Sequence, residues 1–202
     1  LPLPHQVRRH DDEDTVGDLM EVYVTLSDPL DPTDPNFPTP GQIFVDDDWN
    51  GTPVGTALGG SRFYGYNAFA TIQEGVDAAQ TGDQVLIADG VYPESPTVAT
   101  ALSLIGPSNP AERATVIPSA KPANAIIDVA AGVAPVHIQY LAIDGSVLSP
   151  LYTDVEVYRA VYFPAGSGGS VTNCRFSLTT PASFGLELAT AIDVLDANVD
   201  IE

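Results

Sequence analysis

The apolar pattern changes period several times along the chain. Met20-Glu21-Val22-Tyr23-Val24-Thr25-Leu26 alternates apolar and polar side chains, the signature of a half-buried strand. "SDPLDPTDPNFPTPG" follows, with prolines at 29, 32, 35, 38 and 40. That density excludes a helix or a central strand and favours an extended spacer. Residues 1–41 therefore read as an extended arm carrying one strand, with a disordered proline-rich leader as the alternative. Ile43-Phe44-Val45 then runs straight into Asp46-Asp47-Asp48. Next comes a glycine-rich loop from Gly51 to Tyr66. It lacks any Gly-Lys-Ser/Thr phosphate cradle.

From Asn67 the period becomes helical. Phe69, Ile72, Val76 and Ala79 fall on one stripe, which predicts a helix over about 68–81. Thr71 and Glu74 have capping-box spacing, with Asn67 as a rival N-cap, and Gly82 is a natural stop. After Asp83 the period turns to strand. Short β-rich runs appear at 84–87, 102–106, 115–117, 125–129 and 136–138, separated by turns and without helices between them. A sandwich or a stack of repeats fits that spacing.

A weak internal repeat selects the stack. "AIIDVAAGVAPVHIQYLAI" from Ala125, "AVYFPAGSGGSVTNCRF" from Ala160 and "AIDVLDANVDIE" from Ala191 share an Ala-aliphatic opening, a turn and a second strand. Val136, Val171 and Val199 align at the head of that second strand. Periods of 20–50 residues mark stacked repeats, and a coil of roughly 25 residues gives about five coils. The third copy breaks off at Val199-Asp200-Ile201-Glu202, where earlier copies run on to Ile143 and Phe176. The expectation is an incomplete last coil, either continued in a longer chain or covered by another molecule.

"FATIQEGVDAAQTGDQVLIADGVYPE" (Phe69–Glu94) and "LSLIGPS" (Leu102–Ser108) resemble the entry to right-handed parallel β-helix proteins of the pectin-lyase-like class. "IFVDDDWNG" is similar to the leading strand of large secreted or surface bacterial members. The resemblance spans about residues 43–202. It implies an all-β, right-handed parallel β-helix domain over 42–202 with a short capping helix, preceded by the arm over 1–41. It is weak for function, because the fold hosts lyases, esterases, hydrolases, adhesins and plain repeat proteins.

Charge narrows the partners. The 202 residues carry 27 acids and 7 bases, a net charge of −20. Such a surface repels nucleic acid and anionic membranes, and polyanionic sugars too unless a cation bridges them. No apolar run approaches the roughly 20 residues of a membrane span. With one cysteine, Cys174, no internal disulfide forms. The chain starts at Leu1 without Met, as a mature form or a fragment would. Acidity and resemblance together place it outside the cell, secreted or at the surface.

The candidate chemistry is thin. Calcium takes six to eight oxygens, often from a tight acidic loop. Asp46 and Asp48 are candidate calcium ligands, because a continuing strand would point both to one side and Asp47 to the other. The rival reading is a solvated strand end with Asp side chains bonding turn amides. Lyases of the resembled class need a basic residue beside calcium-binding acids. Arg62, Arg113, Lys121, Arg159 and Arg175 sit in no such pattern. Asp193 and Asp196 have acid-pair spacing, as do many pairs in so acidic a chain. His137 points outward between Val136 and Ile138, while His5 and His10 lie in the arm. Cys174 reads as a small buried side chain. Phe63, Tyr64, Tyr66 and Trp49 read as packing residues, with sugar stacking as the alternative.

The expectation is a non-catalytic extracellular structural or adhesive protein that self-associates as a homo-oligomer or filament through its arm and open coil. The alternative is a carbohydrate-active enzyme or binding module acting on polysaccharide.

Overall fold

The computed structural model describes residues 41–109, 111–120, 122–146, 158–177, 189–194 and 198–201. The arm, its strand, His5, His10, Lys121 and Asp196 lie outside them. The chain is mostly β, with parallel sheets and one α-helix among the described residues. It divides into two compact units, Leu1–Thr39 with Gly51–Tyr66, and Pro40–Asn50 with Asn67–Glu202.

The second unit opens with β1 (Gln42–Val45), which ends where the acids begin. In the first unit, the segment expected as a loop holds a small antiparallel hairpin, β2 (Ala57–Gly59) and β3 (Arg62–Phe63). Its two-residue loop, Gly60-Ser61, has φ of +61° at both positions, the backbone that tight hairpin turns require. Back in the second unit, β4 (Ala68–Phe69) pairs with β1 and leads into α1 (Ile72–Ala78).

Helix α1 is shorter than its apolar stripe predicts. Thr71 is the N-cap, and the Thr71–Glu74 capping box is complete. The helix ends at Ala78, with Ala79 already extended, so Gly82 serves the following turn and not the helix end. Ile72, Val76 and Ala79 are buried.

From Gln84 the chain visits three parallel sheets in strict rotation. β5 (Gln84–Ile87) joins β1; β6 (Gly90–Tyr92) opens a second sheet and β7 (Thr97–Val98) a third. β8 (Ser103–Ile105), β9 (Ala114–Val116) and β10 (Ile127–Val129) repeat the order. So do β11 (Val136–Gln139), β12 (Leu141–Asp144) and β13 (Tyr158–Phe163), and then β14 (Gly168–Thr172), β15 (Arg175–Ser177) and β16 (Ala189–Val194). β17 (Asn198–Ile201) returns to the first sheet, which is ordered β17-β14-β11-β8-β5-β1-β4.

This rotation puts like residues on like residues. Ile43, Val85, Leu104, Ile138 and Val171 pair in one unbroken row, each at most 2% exposed. Tyr92, Val116, Ile143 and Phe176 form a second row, and Ile127, Val161 and Ile192 a third. Strands about 4.8 Å apart keep each side chain against its equivalents. Burying each aliphatic contributes about 1.5–3 kcal/mol.

Registers correct the expected repeat. Along the first row, successive partners lie 42, 19, 34 and 33 residues apart, and Val171 pairs onward with Ile201 at 30, not near 25. Ala160 stacks on Ile126, one residue from the expected Ala125, since Ile127 pairs with Val161. Val171 pairs with Ile138, two residues from the expected Val136, while Val136 and Val199 both pair with Gly169. A shift of two keeps the inward face, so the core tolerates it. The expected equivalence of Ile143 and Phe176 holds.

The Gly-x-Tyr-x-Glu turn, Gly90 to Glu94, fastens the helix to this stack. Tyr92 is 1% exposed, and its hydroxyl donates to the Ala88 carbonyl at 3.0 Å. Glu94 reaches back, its carboxylate accepting the amides of Ile72 at 2.7 Å and Gln73 at 2.8 Å. These are first-turn donors with no partner inside the helix. Burial pushes the Glu94 carboxyl up, with the two amides working against it. Replacing Glu94 with alanine leaves both amides unpaired. E94A is expected to lose about 1–3 kcal/mol in urea denaturation, with faster amide exchange at Ile72 and Gln73 than elsewhere in the stack.

Candidate functional site

The acidic turn is built differently from a continuing strand. Asp46 caps a 3-10 turn, Asp47–Trp49, and its Oδ1 accepts the Asp48 amide at 3.1 Å. The backbone therefore stops alternating at Val45. Asp46, Asp47 and Asp48 bring a carboxylate oxygen each within 4.8 Å of one another. The premise that Asp47 faces away is thus corrected: Asp47 joins Asp46 and Asp48.

Two of the three carboxylates already hold backbone. Besides the Asp46 cap, Asp47 Oδ2 accepts the Val91 amide of β6 at 3.1 Å. Position 90 must be glycine for this approach, since a Cβ there would lie 2.1 Å from Asp47 Oδ1. A cation held by Asp46, Asp47 and Asp48 would share oxygens with those bonds. Trp49 closes the turn, half-buried.

Other sequence candidates fall into place one at a time. His137 faces outward from β11, its Nδ1 2.8 Å from Ser170 Oγ on β14. Cys174 packs against the core with its thiol near the Ile138 and Thr172 carbonyls, and burial pushes that thiol up, away from nucleophilic form. In the hairpin unit, burial pushes the Tyr66 phenol up to about 12.

The third sheet brings the candidates Asp193 and Arg159 together with partners that sequence spacing did not give them. Asp128, Tyr162 and Asp193 pair across β10, β13 and β16, forming one row. Arg159 contacts Asp193 Oδ2 by distance, with its Nε–H outside hydrogen-bond geometry, and its guanidinium lies 4.9 Å from the Tyr162 ring centre. Asn124 donates to Asp128. The backbones of the two aspartates stand two strands apart, about 9.6 Å by strand spacing, close to the separation of an inverting acid–base pair. Strand register alone makes this row, which is why sequence spacing missed it.

The second sheet carries Asp144. Its carboxylate accepts the Ser146 amide at 2.9 Å. Burial works to raise this group. Hydrogen bonds from Ser146 and the Ser177 hydroxyl, with the Arg175 charge, outweigh burial and hold it below the usual carboxylate range.

Compared with protein-family models, curated proteins and solved structures, the chain finds no match in any of the three.

Two outcomes follow from these geometries. Asp47→Ala strips the Val91 amide of its acceptor and is expected to cost about 1–3 kcal/mol. Asp47→Asn keeps an acceptor oxygen and retains most of that stability; thermal melts of both variants in chelator check this. A depressed Asp144 carboxyl stabilises the fold above its unfolded value near 3.9, and that contribution is lost as pH falls through the folded value. The melting-temperature advantage of wild type over D144N is therefore expected in full at pH 6 and shrinking as the pH falls below the unfolded carboxylate value.

Proposed function

We propose that the chain is a right-handed parallel β-helix of the pectin-lyase-like kind, working outside the cell in a structural or adhesive role. The rotation through three parallel sheets supports the fold, because parallel crossovers are right-handed in nearly all proteins. One observation carries the role. Most acids of the described stack are bonded to its own backbone or to neighbouring side chains: Asp46, Asp47, Asp83, Glu94 and Asp144 each accept a main-chain amide. Asp77, Asp128 and Asp193 contact Gln73, Asn124 and Arg159. Carboxylates committed in this way build a rigid scaffold whose outer faces present regular polar rows.

A second reading, action on polysaccharide, draws support from the Asp128–Tyr162–Asp193 row. Reducing-end release from neutral and acidic polysaccharides, measured beside sedimentation velocity and electron microscopy, separates the two. The structural reading expects no release, together with assembly that grows with concentration or adhesion to cell-surface material. Release that disappears in both D128N and D193N, from a chain that stays monomeric, overturns it in favour of the second.

A further inference from the structure

The outer face of the second sheet holds a hollow of about 220 Å³ lined by Arg113, Thr115, Ala142, Asp144, Arg175 and Ser177. Register explains it. Thr115, Ala142 and Arg175 sit side by side on β9, β12 and β15, so the row has its smallest side chain at the centre. Ala142 is the floor, and Thr115 and Arg175 are the walls. Arg113 closes one side, two residues before Thr115. Asp144 and Ser177, paired with each other in register, close the opposite side.

The polar groups around this floor are unbalanced. The acceptors are used: Asp144 receives the Ser146 amide, the Ser146 hydroxyl and the Ser177 hydroxyl. Donors remain. Of the seven basic residues, four lie among the described ones. Arg62 donates to the Gly59 carbonyl and Arg159 contacts Asp193. The other two, Arg113 and Arg175, both border this hollow, and neither side chain has a hydrogen bond or close ion pair among the described residues. Two arginines and Thr115 thus border one alanine floor, within a molecule of net charge −20. Guanidinium forks match phosphate, sulfate and carboxylate geometry. Asp144 on the same rim offsets part of the positive charge of the two arginines.

We infer that this hollow is a binding site for one oxyanion group, held by Arg113 and Arg175 over the Ala142 floor with Thr115 as an added donor. The site stands apart from the aspartate row of the third sheet and holds whichever functional reading applies.

Isothermal titration of the whole chain with inorganic phosphate, and separately with acetate, at constant ionic strength tests it. Saturable binding of at least one anion is expected, and the stronger arm tells a tetrahedral group from a planar one. R113Q and R175Q are each expected to weaken binding about tenfold, and the double variant to abolish it. A142L fills the floor with both arginines in place and is expected to abolish binding as well, while R62Q binds like wild type. Circular dichroism checks that each variant folds; if A142L does not, the two surface arginine variants decide alone. No saturable binding of either anion overturns the site. So does binding left unchanged in the folded arginine variants.

Discussion

Everything in the described stack depends on parallel strands meeting in register, so that each inward side chain lands on its own kind. Ile43, Val85, Leu104, Ile138 and Val171 come from five separate stretches of sequence, yet they make one continuous apolar column. A slip of one residue in any strand would turn that strand's inward set to water. The column therefore holds register more firmly than any local turn does. It also frees the turns: partner separations of 19 to 42 residues leave the column intact because the extra length goes into the segments between strands.

The same registration writes the outer surface. Whatever residue follows an inward aliphatic is placed beside its counterpart one strand away. His137 meets Ser170, Asp128 meets Tyr162, and Ala142 lies between Thr115 and Arg175. Side chains distant in sequence become neighbours about 4.8 Å apart. The aspartate row and the arginine hollow are both products of this geometry, on two different sheets.

That is also why the chain is half legible before folding. The strands at 84–87 and 136–139 show in their alternation, and the helix shows in its apolar stripe and its Thr71–Glu74 box, because these signals are local. Registers are not local. Matching Ala125 to Ala160 and Val136 to Val171 follows residue type, whereas the strands align by column, one and two residues away. The acidic turn misled for a different reason. Alternation past Val45 assumes an unbroken strand, but Asp46 binds the amide two residues on and converts the backbone to a 3-10 turn. The tasks of Asp47 and Glu94 were hidden for want of range: their partners lie 44 and about 20 residues away.

The Glu94 clasp makes the helix dependent on the stack. A helix of seven residues is too short to persist alone. The first-turn amides of α1 are satisfied by a residue that follows β6, and its apolar face rests on β1 and β5. The helix is therefore held by strands on both sides of it in sequence, β1 before it and β5 and β6 after it. An element written early in the sequence is thus completed by a residue written later, on the first turn of the stack.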